Sequence, residues 1–225
     1  MMAMPPRNVS TFGINSGSGL PGGSMFAAGA ITDVRDRVQG SNMDGSAAVA
    51  VGFGDAIQSI GGDLSVGIPS VDPDDFGEDG NVSGRVFRQL PGFGGSGISS
   101  VALGVANAAS WGSAKDIDSN YFIAGSTIID ISPNANGYLP LMLSVGYGIG
   151  VKNLERDPAG FFGAGVGFTS RFSASTSWNG DEVMVGLGIR PFLGYNGQIT
   201  LGMGDVTKRL DGRRWIITGY WFWED

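Results

Sequence analysis

The segment DEVMVGLGIR, Asp181 to Arg190, decides how this chain is read. Val183, Val185, Leu187 and Ile189 take every second position, with Met184, Gly186 and Gly188 between them. Side chains along a β-strand point alternately to two faces. One face here is bulky and apolar. The other would carry Thr, Lys or Glu if it met water, yet it is nearly empty.

The same design runs outward from this segment in both directions. In SAAVAVGFGDA, Ala47, Val49, Val51 and Phe53 alternate with Ala48, Ala50, Gly52 and Gly54. Leu64, Val66 and Ile68 alternate with Asp63, Ser65 and Gly67, and Val101, Leu103 and Val105 with Ala102, Gly104 and Ala106. The longest example is LPLMLSVGYGIGVK, where Leu141, Leu143, Val145, Tyr147 and Ile149 oppose Met142, Ser144, Gly146, Gly148 and Gly150. Ile199, Leu201 and Met203 repeat it against Gln198, Thr200 and Gly202. Phe161 to Gly180 reads as one long strand or as a hairpin folded near Thr169 to Arg171. NYFIAGSTIIDIS and SGRVFRQL are further strands with less clean alternation. Turn signals lie between them at Asp72-Pro73, Asn134 to Gly137, Asn179-Gly180, Asn196-Gly197 and Asp211-Gly212. The pattern predicts an all-β chain of about 10–12 strands.

Composition narrows the function. The chain has 225 residues, of which 40 are Gly and only 16% are charged. The net charge is −7, and the only basic cluster is KRLDGRR, Lys208 to Arg214, so nucleic acid is not the expected partner. Cysteine and histidine are both absent. Disulfides, thiolate catalysis, Ser-His-Asp triads and the commonest metal ligands are thereby excluded. No run of apolar residues is long enough for a transmembrane helix, and the N-terminus shows no continuous apolar segment of the kind a signal peptide has. Neither catalytic residues, nor a cofactor, nor a metal site is expected.

Two environments can cover the bulky faces. Each large apolar side chain left in water forfeits about 1.5–3 kcal/mol, which a single sheet cannot carry many times over. One solution is a Gly-rich β-sandwich, whose outer faces should be polar. The other is an antiparallel up-and-down β-barrel in lipid, with the small residues turned to the lumen. Gly in a strand costs roughly 0.5–1 kcal/mol relative to Ala, and a narrow lumen supplies the steric reason for it. Asp63, Lys152, Arg171, Glu182 and Arg190 share the inward parity and are candidate lumen-facing charges. A ten-residue strand at about 3.3 Å per residue, tilted by roughly 45°, spans about 23 Å, which suits an apolar band of about 25 Å. In RRWIITGYWFWED, Trp215, Trp221 and Trp223 share the outward parity, and with Trp178 they form a candidate interfacial girdle. Residues 1–45 read as a flexible Gly/Ser/Pro-rich arm, with a short helix over Thr32 to Asn42 suggested by Thr32, Val34 and Val38. Residues 46–225 read as the barrel domain.

Taken together, Ser46 to Asp225 resembles a Gram-negative outer-membrane β-barrel. Within that class, VALGVANAASWG, NYFIAGSTIIDI and LPLMLSVGYGIG are similar to barrels associated with exopolysaccharide biosynthesis and secretion, as is the hairpin in RFSASTSWNGDEVMVGLGIRP. Gly219 and Phe222 fit the C-terminal pattern of such barrels, whereas Glu224 stands where their last aromatic residue belongs. The resemblance implies a non-catalytic passive pore, or a structural or export-associated barrel, in the bacterial outer membrane. Its expected partners are outer-membrane lipid and lipopolysaccharide, with small solutes or polysaccharide as cargo, and self-association is compatible with it. The alternative is a soluble Gly-rich β-structured component of a virion or other extracellular assembly.

Two motifs carry little weight. GSGLPG, Gly17 to Gly22, satisfies G-x-G-x-x-G, but no strand precedes it and no helix follows. DPDDFGEDGN, Asp72 to Asn81, is acidic, but its spacing does not fit a calcium-binding EF-hand loop and suits a solvated surface loop.

Overall fold

The computed structural model describes residues 9–33, 43–71, 76–92, 97–132, 138–153, 156–191, 196–210 and 212–223. They form one closed sheet of twelve antiparallel strands, each paired with its neighbours in sequence and the last with the first. The strands are β1 Met25–Asp33, β2 Met43–Gly54, β3 Gly61–Ile68, β4 Gly80–Pro91, β5 Ile98–Trp111 and β6 Asn120–Asp130. They continue with β7 Pro140–Lys152, β8 Asp157–Gly167, β9 Phe172–Trp178, β10 Val183–Ile189, β11 Gly197–Gly204 and β12 Arg214–Trp223. Among the described residues the only helical element is one 3-10 turn, Gly112–Asp116.

Closure removes both sheet edges, so every strand finds backbone partners on two sides. Met25 pairs with Trp223 and with Val51, which ties the ends of the barrel together. Among the described residues there is no second sheet, so the sandwich alternative and its burial of apolar faces between sheets do not apply. Phe161 to Gly180 is a hairpin. The Thr169 hydroxyl accepts the N–H groups of Arg171 and Phe172, and this turns the chain between β8 and β9.

β1 lies inside the stretch expected to be an arm, and Thr32, expected to cap a helix, is extended and pairs with Ile216 and Asp44. Short Ala and Gly residues in MFAAGAITD hide its alternation. Residues 34–42 of the expected helix, Asn134 to Gly137, Asp211 and Glu224 lie outside the described residues.

The bulky parity faces outward on every strand with clean alternation. Val145 is 62% exposed and Leu187 59%, whereas their neighbours Ser144 and Gly186 are buried. The buried apolar clusters are all inside the barrel. One joins Phe122, Ala124 and Phe161 with Ile14 packed against them, and another joins Val9 to Ile128 and Met142. Val9 and Ile14 belong to the segment that precedes β1. The interior is therefore filled by the chain's own N-terminal side.

Candidate functional site

Residues 9–24 run inside the barrel as an inverted loop. One leg starts at Val9, beside Ile128 and Met142, near the end of the barrel that carries Met25 and Trp223. A turn with Gly13 at φ +77 brings the chain over. The second leg returns past Ser126 and Asp63 to Pro21–Ser24, close to Gly52 at the end where it began.

Small wall residues make the seat. A Cβ on Gly202 would stand 2.3 Å from the Phe12 ring, and one on Gly186, its cross-strand partner, 3.0 Å from it. A Cβ on Gly165 would meet the Ser10 carbonyl at 2.1 Å, and one on Gly52 the Pro21 carbonyl at 2.1 Å. Side chains do not tolerate such approaches, so these wall positions are empty because the arm occupies the space. On the small face of DEVMVGLGIR this accounts for Gly186, whereas Gly188 is crowded by the wall side chains of Ser173 and Gln198.

Polar contacts hold both legs. The Thr11 hydroxyl donates to Ser144 Oγ at 3.0 Å, and the Gly17 N–H donates to Ser126 Oγ at 2.9 Å. Ser126 and Ser144 are themselves hydrogen-bonded at 2.7 Å. The Ser177 hydroxyl donates to the Phe12 carbonyl. The Leu20 N–H donates to Asp63 Oδ2 at 3.0 Å, and Arg85 Nε bridges both oxygens of the same carboxylate. Each such bond contributes about 0.5–1.5 kcal/mol net. Among the described residues, 9–20 make no backbone-to-backbone hydrogen bond with the wall. The arm is docked in the sheet's interior without being a strand of it.

Two of the cavities beside the arm are large enough to hold several waters. One of about 670 Å³ lies at the end opposite Met25, between the arm's turn (Gly13 to Asn15) and Asn120, Phe161, Asn179 and Arg214. The other, about 300 Å³, lies between the second leg and the wall of β2 to β5, and holds Asp63, Ser65, Ser83 and Arg85. Asn15 borders both.

The expected lumen charges are distributed unevenly. Asp63 is 6% exposed and paired with Arg85, its cross-strand partner. Glu182, 2% exposed, is paired with Arg214 at 2.5 Å. Glu182 and Arg190 stand at opposite ends of β10 and are not brought together. Lys152, the last residue of β7, and Arg171, just before β9, are exposed at opposite ends of the barrel. The Arg171 carbonyl accepts the Arg190 N–H at 2.8 Å.

Sequence reasoning missed Arg85 and Arg214, because pairing depends on strand register and on which residues span a neighbour. It also missed Asp205, fully buried after β11, whose carboxylate accepts the N–H groups of Arg209 and Leu210. That loop places Arg209 over Trp178, 4.8 Å from the ring centroid. Trp215 and Trp223 are 61% and 52% exposed at opposite ends of β12, while Trp178 and Trp221 are half-buried.

The Gly17 to Gly22 motif lies within the arm's second leg and is not a nucleotide-binding turn. Asp79, from the acidic stretch, binds the Ser113 hydroxyl at 2.7 Å. Asp72 to Asp75 lie outside the described residues.

A closed antiparallel barrel with a bulky apolar exterior, and with small and polar residues facing inward beside a few apolar clusters, is the architectural class to which transmembrane β-barrels belong. Within that class the chain is similar in fold to the solved KdgM porin, with a TM-score of 0.55 at 7% identity, over 88% of this chain and 98% of that one. It is also similar to the KdgM porin in complex with disordered oligogalacturonate, with a TM-score of 0.53 at 8% identity over the same shares. No protein-family model matches the chain, and no curated protein matches it.

Proposed function

We propose that this chain is a non-catalytic outer-membrane barrel that passes small polar solutes or neutral oligosaccharides. The observation that carries the reading is the exterior. Val145, Leu187, Leu103 and Phe162 are each more than half exposed on the outer face of the barrel, which no other described element covers. In water each would forfeit about 1.5–3 kcal/mol; in hydrocarbon they are at home. Trp215 and Trp223 then mark the two interfaces, next to lipid and lipopolysaccharide headgroups.

Two observations support the solute class. The fold neighbour's complex with oligogalacturonate favours a carbohydrate cargo, but Arg85 and Arg214 are each matched by a carboxylate. That pairing gives a polyanion no excess positive charge at these two sites and suits an uncharged polyol better.

The reading is tested by extracting the protein and reconstituting it. It should leave membranes only with detergent, float with liposomes, and keep its strand circular dichroism on heating in detergent. A folded, monodisperse protein in plain buffer would overturn it. In liposome swelling, neutral oligosaccharides should enter faster than anionic ones of equal size.

A further inference from the structure

We propose that residues 9–24 are a gate, closing the lumen from within and leaving it as a loop that swings about Pro21 to Ser24. The consequence for permeation rests on the pore reading above; the release of the arm does not.

Three features support a movable arm. First, both ends of residues 9–24 lie at the Met25 end, at Val9 beside Ile128 and Met142 and at Pro21 beside Gly52, so the loop is anchored at one opening of the barrel. Second, it adds no strand to the sheet. Its polar anchors are the side chains of Ser126, Ser144, Ser177 and Asp63, and the barrel ladder is complete without it. Third, its base is built as a hinge. Gly23 has φ +81, a conformation open to glycine, and a Cβ there would meet nothing within 4 Å. The Gly23 N–H donates to the Gly52 carbonyl, and the Gly52 N–H to the Ser24 carbonyl. These bonds fix the base to β2 while leaving residues 9–20 held only by side-chain bonds and packing.

The vacated seat would be wettable over part of its area, where the wall presents hydroxyls, glycines and the Asp63–Arg85 pair. Beside them Ile128, Met142, Phe122 and Phe161 give the docked arm its apolar contacts. Two arrangements of one segment, one docked on those contacts and one released from a largely hydroxyl-lined wall, are what a gate requires.

The test uses the full chain, which has no cysteine of its own. Thr11→Cys with Ser144→Cys replaces a pair whose Oγ atoms are 3.0 Å apart, within reach of disulfide geometry. In planar bilayers the oxidised protein should lose all openings, and reduction should restore them. Equal currents in both states, or a permanently closed reduced protein whose arm is also unreactive, would overturn the gate.

Single Thr11→Cys separates the two readings. It should react with a membrane-impermeant maleimide in proteoliposomes while the barrel remains heat-modifiable. Reaction without any current would retain the moving arm and reject the pore; no reaction would make the arm a fixed plug. Gly202→Val supplies a second variant, since its side chain takes the place of the Phe12 ring. Combined with Thr11→Cys it should speed the labelling, and an unchanged rate would count against release.

Discussion

Ser126 and Ser144 face each other across β6 and β7 with hydroxyls 2.7 Å apart, and each receives one leg of the N-terminal arm. Both are buried, at 7% and 4% exposure. The Thr11 hydroxyl and the Gly17 N–H act as donors, so the two serines serve as acceptors and one of them also donates to the other. Two grips from opposite legs of the arm thus share a single hydroxyl pair.

Such a pair should not be additive. Ser126→Ala and Ser144→Ala are each expected to cost about 1 kcal/mol of arm docking, because a buried donor on the arm loses its acceptor. The double variant should cost less than their sum, because the first substitution already breaks the bond between them. Protease cleavage within residues 9–24, measured in detergent, reads this directly. Strict additivity would mean that the two grips are independent.

The exterior gives a second prediction. Leu187→Arg places a cation near the middle of β10 on the outward face, and should destabilise the barrel by about 2–4 kcal/mol in lipid. Met203→Arg, close to the strand end, should cost less. Denaturant titration in large unilamellar vesicles measures both. Equal small costs would mean that the outward band does not meet hydrocarbon.

How much of the structure is legible in the sequence depends on period and distance. Leu187 and Val145 are readable as outward because alternation is local and survives any choice of register. Asp63 and Glu182 are readable as inward for the same reason, but their partners are not. Asp63 meets Arg85 only once β3 and β4 are in register, and Arg85 stands in a segment with poor alternation. The arm is the least legible element. The sequence of residues 9–24 has no period, because its conformation follows the lumen and not a ladder. Its one trace is the surplus of glycine at wall positions such as Gly52, Gly165 and Gly202, for which a narrow lumen is an equally good explanation until the arm is seen.

The loop contact between Asp79 and Ser113 sets a pH dependence. Hydrogen bonds from the Ser113 hydroxyl, and then from its backbone N–H, hold the Asp79 carboxyl below its ordinary value of 3.8. A folded-state value below the unfolded one contributes stability at higher pH and loses it as pH falls through the folded value. The β3–β4 connection should therefore stay latched at neutral pH and loosen only below about pH 4. Amide exchange at Ser113 should rise in that range, and Ser113→Ala should remove most of the transition. Exchange that rises near pH 6 would assign the latch to another group.

Glu182 and Arg214 make the last prediction, because a glycine lies between them. They belong to the β9–β10 turn and to β12, with β11 in the middle, and Arg214 reaches across Gly204 to the carboxylate. A Cβ on Gly204 would stand 2.8 Å from Arg214 Nε and 3.2 Å from Glu182 Oε2. Glu182→Gln leaves a guanidinium without its counter-charge, but the arginine side chain is 30% exposed. Water therefore screens part of the loss, and about 1–3 kcal/mol is expected, below the range for a fully buried pair. Gly204→Ala should cost a comparable amount with both charges still present, by pushing the arginine aside. Combined with Glu182→Gln it should add little further, since the contact it disturbs is already gone. Unfolding in detergent across this double-mutant cycle gives the coupling, and a coupling near zero would mean that the pair contributes nothing through Gly204.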